Sequence, residues 1–376
     1  MCPSCYSICK MKRLLTIITA GFLCQVSCIQ NAWPGETEDD PVRNGIRLSQ
    51  LSSHPVRSIA YWRQGDQFKV QKTRIGPAPP ELIEFMRLDN TFQGYSERPV
   101  PAPRDSEFLR DVETAMASLP RAVRRIAERR LFYIALVRDL GGGTGYMDVV
   151  AGSDGSAAGG FIILDEGALD RNANAWASWR EGSAFQPGAD WSIEVRIEAP
   201  ANDNRVNAIR YILLHEIGHV VDAVIGATQI GGGNTQNIAG NGFYDLSWTY
   251  PPPSQEIVVP GDTLRSRFDS AWPDRELLAF YSFNESRYDV ADIQPVYQWL
   301  RGTNFPTLYA ATSSADDFAE SFVNYVHVVL DKRPFEIRLR QGGQSEFLLS
   351  SCWESPRCAD KKATMKRLLL RAEVLQ

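Results

Sequence analysis

Histidine is scarce in this chain, four among 376 residues, so a pair of histidines at a defined spacing carries weight. Cysteine is nearly absent from the body of the sequence. Cys2, Cys5, Cys9, Cys24 and Cys28 crowd the first 28 residues and only Cys352 and Cys358 remain of the seven, which excludes a disulfide-built scaffold. No dense Lys/Arg block follows the opening residues and the net charge is -5, so charge alone draws in no polyanion and no nucleic-acid partner is expected. No apolar run reaches the ~20 residues that a membrane-spanning helix needs. With 44% hydrophobic and 23% charged residues the balance is that of an ordinary globular protein, which excludes disorder throughout.

The N-terminus has the pattern of a targeting segment. Met11-Lys12-Arg13 gives a basic start, Leu14 to Cys24 an uncharged apolar stretch, and Gln25-Val26-Ser27-Cys28 a small residue before a cysteine. A signal peptide over 1–28 is expected, with Met11 as the true start, and with it export to the periplasm, the outer surface or the medium. Val26-Ser27-Cys28 resembles the lipobox of bacterial lipoproteins, with Gln25 where leucine is usual, so the mature chain is either attached to a membrane through a lipidated Cys28 or released. In an oxidising compartment Cys352 and Cys358 are expected to close the loop CWESPRC, with two free thiols as the alternative.

Residues 29–104 are polar and interrupted by Pro77, Pro79, Pro80, Pro99, Pro101 and Pro103, and read as a tether or loosely structured arm. Val56 to Trp62 and Phe68 to Val70 are candidate strands within it. Residues 105–340 carry the pattern of one α+β domain, leaving 341–376 as a C-terminal extension. Phe108, Val112, Met116, Leu119, Val123 and Ile126 recur at helical steps, and Leu131 to Val137 and Gly160 to Leu164 suit buried strands. Trp191 to Glu198 alternates as a half-exposed edge strand does. A helix is expected from about Asn204 to Ile225, capped within Asn202-Asp203-Asn204, then a long loop over 226–262. Further helical patterns run over Arg275 to Ser282, Val296 to Arg301 and Asp316 to Leu330.

The expected 204–225 helix contains His215-Glu216-Ile217-Gly218-His219. Residues four apart lie on one face of a helix, so the two imidazoles can point at one cation, a geometry that zinc accepts. Glu216, about 100 degrees round the axis, stands beside that cation where it can take a proton from a water. The bland alternative is a buried helix with two polar positions. Ile209, Ile212, Leu213, Leu214, Ile217, Val220, Val221 and Val224 argue against it, because unpaired imidazoles and a carboxylate among them would cost several kcal/mol that a metal removes.

A catalytic zinc has three protein ligands and one open position. The long metzincin pattern is excluded, since Asp222 and Ile225 stand where its glycine and third histidine would fall. Downstream, Asp316 and Glu320 share a face of a predicted helix. One is a candidate ligand and the other a carboxylate that orients a ligand histidine; an acid-rich first helical turn is the plain alternative.

LHEIGHVVD followed about a hundred residues later by YAATSSADDFAESF resembles the gluzincin zinc metallopeptidases, including the catalytic domain of anthrax lethal factor and its bacterial relatives. The similarity spans roughly residues 105–335. It implies a zincin-like fold, a small mixed sheet whose edge strand packs on the active-site helix, followed by a mainly helical subdomain. It also implies one zinc ion held by His215 and His219, Glu216 as general base, Tyr309 assisting the transition state, Asp316 as third ligand and Glu320 behind it. The family's third ligand is a glutamate, and the shorter Asp316 means that the helix comes closer or that Glu320 binds directly. A protein or peptide is the implied substrate, with Trp191 to Glu198 as the strand to pair with it. A zinc-stabilised module without turnover, in a surface lipoprotein or toxin-like protein, and a structural lipoprotein with an incidental motif, are the alternatives.

Overall fold

Leu131–Arg138 is apolar at nearly every position because both of its faces are covered, and the rest of the architecture is arranged around it. The computed structural model describes residues 41–64, 74–188, 190–228, 242–249, 265–281, 286 and 288–374. The expected signal region with Met11 and Cys28, the stretch Phe68 to Val70 and much of 226–262 lie outside the described residues. The described strands, in chain order, are β1 (Ile75–Pro77), β2 (Val100–Pro101), β3 (Leu131–Arg138), β4 (Gly145–Ala151), β5 (Ala157–Asp165), β6 (Trp191–Arg196), β7 (Trp248–Thr249), β8 (Arg265–Ser266), β9 (Glu336–Gln341) and β10 (Gln344–Ser350).

A mixed sheet has the order β1-β3-β5-β4, with β2 also pairing β3. β1 and β5 run parallel to β3, while β4 is antiparallel to β5 and forms an edge. Side chains alternate between the faces. Ile134, Leu136, Ile162, Leu164, Met147 and Val149 join the large core on the side of the helix Arg205–Ile225. Tyr133, Ala135, Val137, Phe161, Ile163 and Val150 join a second core with Leu51, Val56, Trp62, Leu82, Phe85 and Met86. The fold is thus α+β with a small mixed sheet.

Several expectations are corrected. Residues 41–64 and 74–104 are not a loose arm: they form the helices Pro41–Ser52, Ile59–Gln64 and Pro80–Gln93, and β1 and β2 are members of the main sheet. Pro80, one of the prolines read as breakers, opens a helix, as Pro41 does another, where the fixed φ is favourable and no intrahelical N–H is lost, and Gly94 at φ 82 closes the helix Pro80–Gln93 in the left-handed region. Val56 to Trp62 is a short 3-10 turn followed by a helix, with only Ser58 bridging to Ala151, so it adds no strand. Arg275–Leu277 is a single 3-10 turn in place of the longer helix expected there. The segment 341–376 is no appendage, because β10 pairs β9 and the helix Ala359–Val374 packs on Arg121–Arg130.

The helices Glu107–Ala117, Arg121–Arg130 and Ile293–Arg301, strands β3 and β5, and Ser314–Asn324 running on into a π-helical turn to Leu330, follow the sequence reading. β6 is an edge strand as expected, but of a separate sheet ordered β10-β9-β6. Cys352 and Cys358 form the disulfide, with Cα atoms 5.8 Å apart. Among the described residues no helix is long and apolar enough to cross a membrane.

Candidate metal centre

The helix Arg205–Ile225 begins where the Asn204 side chain accepts a hydrogen bond from the Asn207 N–H at 3.0 Å, and ends at Gly226, whose φ of 65 suits glycine. From Ala208 to Ala223 every residue is buried, because β4 and β5 cover one side and Ser314–Asn324 the other. Gly218 governs the second contact. A Cβ at that position would lie 2.9 Å from Ala319 Cα, so only glycine lets the two helices approach this closely. That approach brings the Asp316 carboxylate within 3.9 Å of both imidazoles.

Ser313 caps the second helix, accepting from the Asp316 N–H at 3.1 Å. Asp316 Oδ2 in turn accepts from Thr312 Oγ1 at 2.9 Å and Ser313 Oγ at 2.7 Å. Its Oδ1 lies 3.5 Å from His219 Nε2 and 3.9 Å from His215 Nε2, and the two Nε2 atoms are 3.1 Å apart. Ligands on a tetrahedral zinc are separated by about 3.3 Å at ordinary bond lengths, so these three atoms describe one face of such a site. All three residues are buried, and their ligand atoms lie within 4.8 Å of one another. Burial would raise the Asp316 carboxyl, but its bond to His219 and the charges of both imidazoles outweigh that and hold it below the usual range.

Glu320 occupies the other side of His215. Its Oε1 is 2.9 Å from His215 Nδ1 and 3.0 Å from Arg180 Nη1, while Oε2 accepts from Thr307 Oγ1 at 2.7 Å. Burial opposes its ionisation, yet Arg180, then His215 and Thr307, bring its pKa down to about 2. An ionised carboxylate at Nδ1 fixes the ring with Nε2 facing Asp316. Asp316, the acid favoured as third ligand from the sequence, therefore faces both Nε2 atoms, and Glu320 stands behind one ring.

Glu216 accepts a hydrogen bond from the Met147 N–H of β4, and its Oε2 is buried without a hydrogen-bond partner among the described residues. Burial lifts its pKa above the usual carboxylate range against the pull of His215 and His219. Tyr309 sits in the turn Tyr309–Ala311, its ring edge-on to His215 at 5.5 Å and to Phe280 at 4.7 Å. The strand that reaches the site is β4, an edge of the main sheet bridged by Ser58 only at Ala151, whereas β6 packs on the helix Ala173–Gly182.

Sequence reasoning missed Arg180, Thr307 and Gly218. Arg180 is buried, and its guanidinium lies 5.0, 5.6 and 5.2 Å from the ring centres of Trp176, Tyr211 and Tyr309. Its partner Glu320 is 140 residues away, so no local spacing signals the pair. Gly218 was readable as a small residue inside an apolar helix, though what it touches was not. Comparison of the chain with protein-family models, curated proteins and solved structures found no match.

Proposed function

We propose that this chain is an exported zinc metallopeptidase of the gluzincin kind, with His215, His219 and Asp316 as ligands and Glu216 as general base. The donor set fits the ion: two imidazole nitrogens and a carboxylate oxygen, buried and convergent, are the borderline ligands that zinc takes in catalytic sites. Zinc bound there would polarise a carbonyl and make its water acidic near neutral pH. Glu216 takes the proton from the attacking water and delivers it to the leaving nitrogen. Tyr309 is the candidate hydrogen-bond donor to the developing oxyanion. Glu320 and Arg180 hold His215 in the tautomer and orientation that a ligand requires.

One observation carries the enzyme reading over a purely structural zinc module. The Glu216 carboxylate is buried beside the ligand cluster with an oxygen that has no hydrogen-bond partner among the described residues. Such an atom costs stability unless a function retains it, and a site that only held a metal would have no use for it. The zincin-like architecture is supported by the same arrangement, with a mixed sheet whose antiparallel edge strand β4 touches the motif helix at Glu216. Extended peptides are proposed to pair with β4.

Glu216→Gln tests the mechanism. Zinc content should be unchanged while kcat on a peptide library falls by roughly 100- to 10,000-fold, the contribution expected of a general base. Undiminished turnover by this variant would discard the mechanism.

A further inference from the structure

Tyr281 is the feature that neither the metal nor the fold explains. Its φ is 61, a left-handed conformation that a bulky side chain rarely adopts. Strain of that kind is retained where surrounding contacts hold a side chain in a required place. Here the N–H donates to Ser183 Oγ at 2.7 Å, and the phenol hydrogen-bonds the side chain of Thr144, just ahead of β4. The ring borders Gly143, lies 6.4 Å from the Tyr309 ring and 5.5 Å from that of Trp179. Both Trp179 and Tyr281 keep partial exposure. Arg171 completes the row: its guanidinium lies 4.6 Å from the centre of the Trp179 ring, and Nη1 donates to a backbone carbonyl, that of Ala168.

From the metal outward the order is therefore His215, Tyr309, Tyr281, Trp179, Arg171: four rings in successive contact, ending in a cation. The row starts at the reacting centre and passes the head of the edge strand along which a peptide is proposed to extend. Resting on the metallopeptidase reading, we propose that Tyr281 and Trp179 form the subsite for a side chain flanking the scissile bond. The substrate class is a peptide with an aromatic residue there and a carboxylate, from Asp, Glu or the chain terminus, within reach of Arg171. Stacking and edge contacts on the two rings select the aromatic group, and the guanidinium selects the acid. The left-handed turn at Tyr281 is what keeps its ring between Tyr309 and Trp179.

Two measurements on the zinc-loaded full chain test this. The first digests a mixed-sequence peptide library with the wild type and maps the cut sites. An aromatic residue should be favoured over alanine at least tenfold in kcat/KM at one position beside the cut, with Trp179→Ala abolishing that preference and Arg171→Gln the preference for an acid. The second uses Glu216→Gln, which holds peptide without cutting it, and follows binding by calorimetry. A Phe- and Asp-containing pentapeptide should bind at least tenfold tighter than its Ala-substituted counterpart, and Trp179→Ala in that background should erase the difference at unchanged zinc content. Cleavage without the preference, or a preference that survives Trp179→Ala, overturns the subsite and leaves the peptidase. Selective binding by Glu216→Gln with no cleavage by the wild type overturns the peptidase and leaves the subsite. Loss of both overturns both.

Discussion

The helix Ser314–Asn324 carries buried carboxylates on two sides, one residue apart, and the two sides are completed differently. Asp317 is fully buried, pairs with the equally buried Lys361 of the helix Ala359–Val374, and accepts from Trp248 Nε1 at 3.1 Å. The Lys361 ammonium also lies 4.9 Å from the Phe305 ring centre. There the protein supplies its own cation. On the other side Asp316 Oδ1 faces the Nε2 atoms of His219 and His215, at 3.5 and 3.9 Å, in place of a lysine. One carboxylate is part of the brace of the helix, and its neighbour is the one that we propose as a metal ligand.

Replacing the carboxylates on the metal side should give the largest effect on zinc binding. Glu320→Gln is expected to weaken zinc binding by roughly 10- to 100-fold, the usual cost of disturbing a carboxylate behind a ligand histidine, and Asp316→Ala to weaken it further still. Competition against a chromophoric chelator measures both. Equal losses, or a larger loss from Glu320→Gln, would reverse the roles assigned to the two acids.

On the bracing side, Lys361→Met should cost about 3–5 kcal/mol in urea unfolding, because it leaves Asp317 buried and uncompensated. The double variant Asp317→Asn with Lys361→Met should recover much of that loss. Zinc affinity of the folded protein should hardly move. A strong effect on zinc would show that the two sides are not separable.

The metal side was more legible in the sequence than the bracing side, for a physical reason. His215 and His219 lie on one helix, where spacing alone defines geometry, and Asp316 and Glu320 repeat that relation on a second helix. Lys361 stands in a segment that reads as an extension, and its partner is 44 residues away. Arg180 was hidden in the same way. The arm was misread because Pro80 and its neighbouring prolines were weighed as helix breakers, although at a first turn proline starts a helix. β6 was placed as an edge correctly, but its partner β9 lies beyond the second helix, and strand pairing over that distance has no local signature.

Where the two helices meet, Gly218→Ala should cost about 1–3 kcal/mol, since a Cβ at 2.9 Å from Ala319 Cα forces the backbones apart. Zinc affinity should fall with it, because Asp316 is carried away from the imidazoles. A stability loss without a change in affinity would mean that the close approach does not set the reach of the ligand.

An effect that is absent at neutral pH lies at His327, a buried imidazole outside both clusters. Its Nε2 lies 2.7 Å from the Ile197 carbonyl oxygen, and its Nδ1 is buried without a partner among the described residues. Burial pushes its pKa down to about 3 from the ordinary 6.5. Between those values the unfolded chain takes a proton that the folded one refuses, so stability is full above about pH 6.5 and falls as pH drops, by at most about 1.4 kcal/mol per pH unit. Urea midpoints of zinc-stripped protein at pH 7, 5.5 and 4.5 should show this slope beyond that of His327→Gln. Identical slopes would contradict it.

The most direct measurement is the metal content of the purified full chain after dialysis, by elemental analysis, beside Asp316→Ala and Lys361→Met. One zinc per wild-type chain, kept by Lys361→Met and lost by Asp316→Ala, is the expected result. Wild-type protein that holds no zinc, or Asp316→Ala that holds as much as wild type, would contradict the assignment of this centre.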